Sequence, residues 1–427
     1  MTDTPVEFLG HEARALLARL DRMQPFVLSE TMVPAANLSP AAQRAIDHHL
    51  WQARRRLHAQ GLAFIAELPR WRTQPAEAQR RFALLRLRFN AVLTQFDLFA
   101  DALAQRGERN HGVWMSGLDA LAADALMLPA GFEAPPVVCY LDRGIGAAIR
   151  RARTRLPGGG ANPAALIRVP RERMVGSGIA SSLVHEVGHQ AAALLGLVDS
   201  LRAMLRALEL GAGGAARNAW RLWSRWISEI VADFWSVARL GIAAPLGLIG
   251  VLSLPRPFVF RISIEDPHPT PWLRVLLSCC MGHALYPDPA WARLAGLWQT
   301  LYPLAGEHPA QRAHAVQLAR AMPGFVARLA AHRAPALGGR RLDEALAVPA
   351  LQPAALAQRR AAWRLDPGAL FRARPCLACA AIGQARAEGG IGPQQESRLM
   401  GSLLTHWALR NSLGPQLPAR QFLFNPT

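Results

Sequence analysis

The chain contains no lysine. All 48 basic residues are arginine, set against 30 acidic residues for a formal net charge of +18. Without a lysine, the run Gly158-Gly159-Gly160 is excluded as a P-loop, which needs that side chain on the nucleotide phosphates. Cysteine is scarce and odd in number: five, two of them the neighbours Cys279 and Cys280. Such a set is not the paired framework of a small secreted domain. The opening MTDTPVEFLGHEARALL is acidic and then amphipathic, with no basic stretch leading into an apolar one. No signal peptide is expected, and the expected location is cytoplasmic. Long apolar runs are missing too. The longest, GIAAPLGLIGVLSL at 241 to 254, carries Pro245, is too short to cross a bilayer and predicts a buried core helix. Valine, isoleucine and tyrosine are thin beside alanine and leucine, so the fold class expected is mostly α with a small β-sheet.

What is present describes a globular chain with ample core, 51% hydrophobic and 18% charged. The arginines are spread along many segments, among them Arg54-Arg55-Arg56, Arg80-Arg81, Arg150-Arg151 and Arg359-Arg360. They read as solvated faces, with no recognisable nucleic-acid module beside them. An acidic protein or an anionic surface is the partner that such a charge suits.

Three regions are expected. Residues 1–130 read as helical: Ser39-Pro40 is an N-cap followed by proline at the first turn, and AEAQRRFALLRLRFNAVLTQFDLFADALAQR keeps apolar residues at helical spacing. Residues 131–290 differ. PPVVCYLD and AALIRVP read as strands, GIGAAIRRARTRL as a helix, and PGGGANP as a turn. Two long helices follow, one through LVHEVGHQAAALLGLV and one through AWRLWSRWISEIVADFWSVARLG. Residues 291–427 return to a helical pattern broken by Pro/Gly stretches, ending in an extended tail, GPQLPARQFLFNPT.

The chemistry concentrates in SSLVHEVGHQ. Residues i and i+4 share one face of a helix, so His185 and His189 can aim at one point while Glu186 lies about 100° round the axis. Two neutral imidazoles can then hold Zn²⁺ with a carboxylate beside it to take a proton from water. The apolar flanks make unpaired His and Glu costly there. Gly188 loses about 1 kcal/mol of helix propensity relative to alanine, which points to a close approach by another segment. A catalytic zinc needs a third protein ligand. RWISEIVADFWSVA supplies Glu229 for that place and, one turn on, Asp233 to accept a hydrogen bond from a liganding imidazole.

HExxH followed by ExxxD resembles the gluzincin metallopeptidases, and EIVADFWSVA looks most like the HtpX and CAAX-prenyl-protease group. That resemblance covers residues 180 to 275. It implies a zincin-like core between helical flanks, with Zn²⁺ on His185, His189 and Glu229, and hydrolysis of a peptide or protein substrate with Glu186 as general base. The group carries a His-Pro segment with an arginine six residues on. IEDPHPTPWLRV matches it, which makes His268 and Arg274 candidates for substrate or oxyanion contacts. The resemblance also implies that AALIRVP is the edge strand beside the active helix. The alternative function is a non-catalytic zinc scaffold whose arginine-rich helices hold an acidic partner.

Other signals carry less. Cys376-Leu-Ala-Cys379 has no second CxxC or histidine pair to complete a zinc site, and reads as two buried cysteines on a helical turn. Cys279, Cys280 and His283 follow the His-Pro segment and read as core or as pocket lining. Asp47, His48 and His49 are adjacent in sequence and so do not face one another on a helix.

Overall fold

Proline does not break this chain's helices; it starts them. α1 (Pro5–Arg22), α2 (Pro40–Glu67) and α3 (Pro75–Ala104) all carry it in the first turn, where no N–H is needed. Thr4 and Ser39 cap the first two, their side-chain oxygens accepting from the N–H groups of Glu7 and Ala42. The computed structural model describes residues 4–23, 33–127, 132–143, 146–171, 178–263 and 265–413. The tail expected to be extended, 414–427, lies outside the described residues.

The chain forms two units, and the division runs through the strands. The first comprises Met1–Ser116, Pro135–Tyr140 and Arg150–Leu166. Its core is built by α1, α2 and α3, with Leu9, Leu16 and Leu20 packed among Leu57, Phe64, Phe82 and Phe89. A second cluster joins Ile46, Leu50, Phe96 and Phe99 to Val138 and Leu166. The glycine run forms a turn in which Gly158, Gly159 and Gly160 all have positive φ, and Gln95 Nε2 donates to the Gly159 carbonyl at 3.2 Å.

α4 (Arg109–Ala125) precedes a three-stranded sheet of β1 (Val137–Asp142), β2 (Ala148–Arg150) and β3 (Ala165–Pro170), in the order β1-β3-β2. Two expectations are corrected here. The stretch 144–156 is not a helix: it supplies β2 and then a turn, with 144–145 outside the described residues. Pro157 and the three glycines fold the chain back, bridging Arg155 to Ala161, and strand pairing overrides the helical propensity of Ala and Arg. Nor is AALIRVP an edge strand. As β3 it lies between β1 and β2, with Ala165, Leu166, Ile167 and Val169 buried, so β2 is an edge and β3 has no free side.

The second unit comprises Gly117–Ala134, Leu141–Ile149 and Ile167–Thr427. It is helical: α5 (Gly178–Leu194), α6 (Leu197–Gly211), α7 (Gly214–Leu240), α8 (Ala243–Leu252), α9 (Arg256–Val259), α10 (Pro271–Leu285), α11 (Pro289–Leu301) and α12 (Pro309–Ala330), then α13 (Leu342–Leu346), α14 (Pro353–Leu365), α15 (Pro367–Arg372), α16 (Pro375–Ala387) and α17 (Pro393–Leu413). The central helix is α7, which packs against α5, α6, α8, α10 and α16. Its aromatic residues fix it in place. Trp223 stacks on Phe325 of α12 with centroids 4.7 Å apart, and Trp235 Nε1 donates to the Ala125 carbonyl at 2.9 Å. The apolar run at 241–254 becomes α8, a short and largely buried core helix whose Pro245 sits in the first turn. Among the described residues no helix is long and apolar enough to cross a membrane.

Candidate metal centre

α5 and α7 cross where both lose bulk. A Cβ placed on Gly188 would come within 2.8 Å of the Ala232 Cα and 2.9 Å of its carbonyl oxygen, so only glycine fits there. This is the close approach that the glycine inside HExxH signals in the sequence. It brings His185 and His189, on one face of α5, against Glu229 on α7.

The result is a convergence of three side chains. Glu229 Oε2 lies 3.3 Å from His185 Nε2 and 3.4 Å from His189 Nε2, and the two imidazoles stand nearly perpendicular at 86°. Glu229 Oε2 is buried, and none of these contacts is aligned as a hydrogen bond. Short distance without alignment suits groups arranged around a shared centre better than groups bonded to each other. Donors held at 2.0–2.1 Å by a tetrahedral zinc stand about 3.3 Å apart. The donor set, its spacing and the orphaned oxygen therefore fit a divalent cation. Among the described residues, His185, His189 and Glu229 are the one group of His, Cys, Asp and Glu gathered closely enough to hold one.

Behind this centre Asp233 does two jobs. Its Oδ1 accepts from His185 Nδ1 at 2.7 Å, which leaves Nε2 facing Glu229. Both its oxygens also accept from Arg274 of α10, Oδ2 from Nε at 2.7 Å and Oδ1 from Nη2 at 2.9 Å. Burial raises the Asp233 carboxyl, but the Arg274 and His185 charges outweigh it and hold the pKa well below the carboxylate range. Burial likewise works against charge on His185, yet the Asp233 carboxylate bonded to its Nδ1, with the Glu229 carboxylate close to Nε2, brings it up to about 9. Glu229 is pushed up by burial and further down by the three histidines around it, so it stays ionised.

The third histidine is His268. Its Nε2 lies 3.0 Å from Glu229 Oε2, and its Nδ1 and backbone N–H are both held by Asp266 Oδ1, at 2.7 and 3.0 Å. Sequence reasoning passed over Asp266. The signal available was an Asp two residues ahead of the histidine in DPHP, the spacing at which an Asp side chain bonds the backbone in a turn.

A cavity of about 720 Å³ opens on this cluster. His185, Glu186, Asp233, His268 and Arg274 all line it. Glu186 is buried and lines the cavity, next in sequence to His185 on α5. Arg274 is tied to Asp233 rather than free in the cavity, and its Nη2 also lies 3.3 Å from His185 Nδ1. Ser278 contributes to the lining, whereas Cys279, Cys280 and His283 do not. Cys376 and Cys379 lie buried on α16, close to Asp124, which accepts from the Cys376 N–H at 2.9 Å; they are no part of this centre. No protein family, curated protein or solved structure matches the chain.

Proposed function

We propose that the chain is a zinc-dependent peptide hydrolase of gluzincin type, similar in its motifs to the HtpX and CAAX-prenyl-protease group. The observation that carries this reading is the meeting of His185 Nε2 and His189 Nε2 on the orphaned Glu229 Oε2, with Asp233 seated behind His185. Zinc on these three residues would supply a Lewis acid that acidifies water and polarises a carbonyl. Glu186, beside the cluster and open to the cavity, takes the proton from the attacking water and passes it to the leaving amine. Asp233 keeps the His185 ring in the tautomer that leaves Nε2 bare, and Arg274 keeps Asp233 ionised and in place. His268, held by Asp266, presents an imidazole at the cavity wall where charge develops on the substrate carbonyl.

Peptide cleavage by wild type and by Glu186→Gln, each with its zinc content measured, tests the proposal. The reading expects Glu186→Gln to keep its zinc and lose kcat by at least about a thousandfold, within the range for a positioned acid–base group acting in two steps. Equal cleavage by both proteins contradicts it, as does zinc-loaded wild type that cleaves nothing in a diverse peptide pool.

A further inference from the structure

We infer that the cavity beside the metal cluster is a recognition pocket for an apolar stretch of polypeptide, with α8 as its selecting wall. That the occupant is a polypeptide rests on the hydrolase reading. That it is apolar rests on the lining alone.

The cavity lining has two chemical characters. Part of it is the charged residues of the site. Val237, Ala244, Leu248, Val251, Leu252 and Leu254 add a lining with no polar side-chain atom, most of it from α8. Four of the five serines in the lining, all but Ser182, offer little more as donors, because their hydroxyls are already engaged. Ser181 Oγ donates to the Ala244 carbonyl at 2.7 Å, Ser278 Oγ to Arg274 at 3.0 Å, and Ser253 Oγ to Ile249 at 2.7 Å. Ser236 Oγ reaches the Ser181 carbonyl at 3.4 Å. Arg274 is likewise engaged with Asp233. A charged or strongly polar side chain set against this apolar lining loses water and gains little in return. An aliphatic or aromatic one loses nothing and buries its surface.

Two further features fit. The wall is held close to the catalytic helix by a backbone approach: a Cβ on Gly247 of α8 would fall 2.3 Å from the Ser181 Cβ. The cavity therefore shares its floor with α5, directly beside Glu186. Its size, about 720 Å³, falls in the range of pockets that take a drug-sized ligand and has room for more than one side chain. At its mouth Leu254 is 40% exposed, so the apolar lining continues outward.

The test measures binding apart from turnover. Zinc-loaded Glu186→Gln is titrated with fluorescein-labelled nonapeptides identical except for a central Phe-Leu, Asp-Asp or Arg-Arg pair. The inference expects the Phe-Leu peptide to bind at least about tenfold more tightly than either charged one. Adding Val251→Arg should abolish that difference and favour the Asp-Asp peptide. Leu254→Arg, at a more exposed position, should narrow it even if the first substitution disturbs folding. Equal binding of all three peptides, or a preference unchanged by both substitutions, overturns the inference, even where wild type cleaves peptides. An apolar preference that both substitutions weaken, in a protein whose wild type cleaves nothing, supports the pocket and removes the hydrolase reading instead.

Discussion

Gly188 and Ala232 are in backbone contact: the glycine's missing side chain is the space that the Ala232 Cα and carbonyl occupy. Their contact fixes the distance between the two histidines of α5 and the carboxylates of α7. Gly188→Ala adds helix propensity worth about 1 kcal/mol but forces a carbon against backbone that cannot yield. The net effect expected is destabilisation by about 1–3 kcal/mol together with weaker zinc retention. Chemical denaturation and metal analysis of the variant check this, and a stabilised, fully zinc-loaded variant contradicts it.

Asp233→Asn keeps the shape of the side chain and removes its charge. Arg274 is then buried without its counter-ion, and the amide offers one acceptor oxygen and an NH2 where the carboxylate gave His185 and Arg274 two acceptors. Breaking a buried pair in this way costs about 3–5 kcal/mol, and loss of a carboxylate behind a liganding histidine weakens metal binding about 10–100-fold. Urea unfolding reads the first and chelator competition the second. If both are unchanged, Asp233 has no supporting role.

Proton competition should be visible in metal binding. Without metal, burial opposes charge on His185 but Asp233 overcomes it and lifts the pKa to about 9, so the imidazole carries a proton throughout the neutral range. Zinc requires Nε2 bare. Below pH 9 each bound ion therefore displaces at least that proton, and apparent affinity should rise by about tenfold per pH unit between pH 6 and 8. Competition titrations at three pH values decide; a flat profile contradicts the assignment of His185 as a ligand.

The cysteines should be inert while the protein is folded. Burial pushes the Cys279 thiol up to about 12 and Cys280 to about 11, and it raises Cys376 and Cys379 further with help from Asp124. The thiolate is the reactive form and is nearly absent at pH 8. Native protein should react with iodoacetamide far more slowly than protein in guanidinium, where all five become available. Rapid labelling of Cys376 or Cys379 in the native state would contradict their assignment as buried, unreactive thiols.

Much of the centre was legible because its chemistry is local. Two histidines four apart, and a carboxylate four before another, each define one face of one helix, so spacing alone brings His185 to His189 and Glu229 to Asp233. Gly188 added a contact between helices, read from its propensity penalty. Pairing between distant segments was harder. Periodicity does not reveal which strand lies between two others, and β3 was expected at an edge that β2 occupies. Local propensity also misread 144–156, of which 146–156 are described: Ala, Ile and Arg suit a helix there, but turn chemistry at Pro157–Gly160 decides the outcome. Missed as well was the partnership of Arg274 with Asp233, which depends on how α10 crosses α7 and leaves no trace in the spacing of either.

The most direct measurement is the metal content of protein purified without chelators. The account predicts about one zinc per chain in wild type and Glu186→Gln, and almost none in His185→Ala, His189→Ala or Glu229→Ala proteins that remain folded by circular dichroism. Wild type that carries no zinc and takes none up, or ligand variants that retain it, would contradict the assignment on which every step above depends.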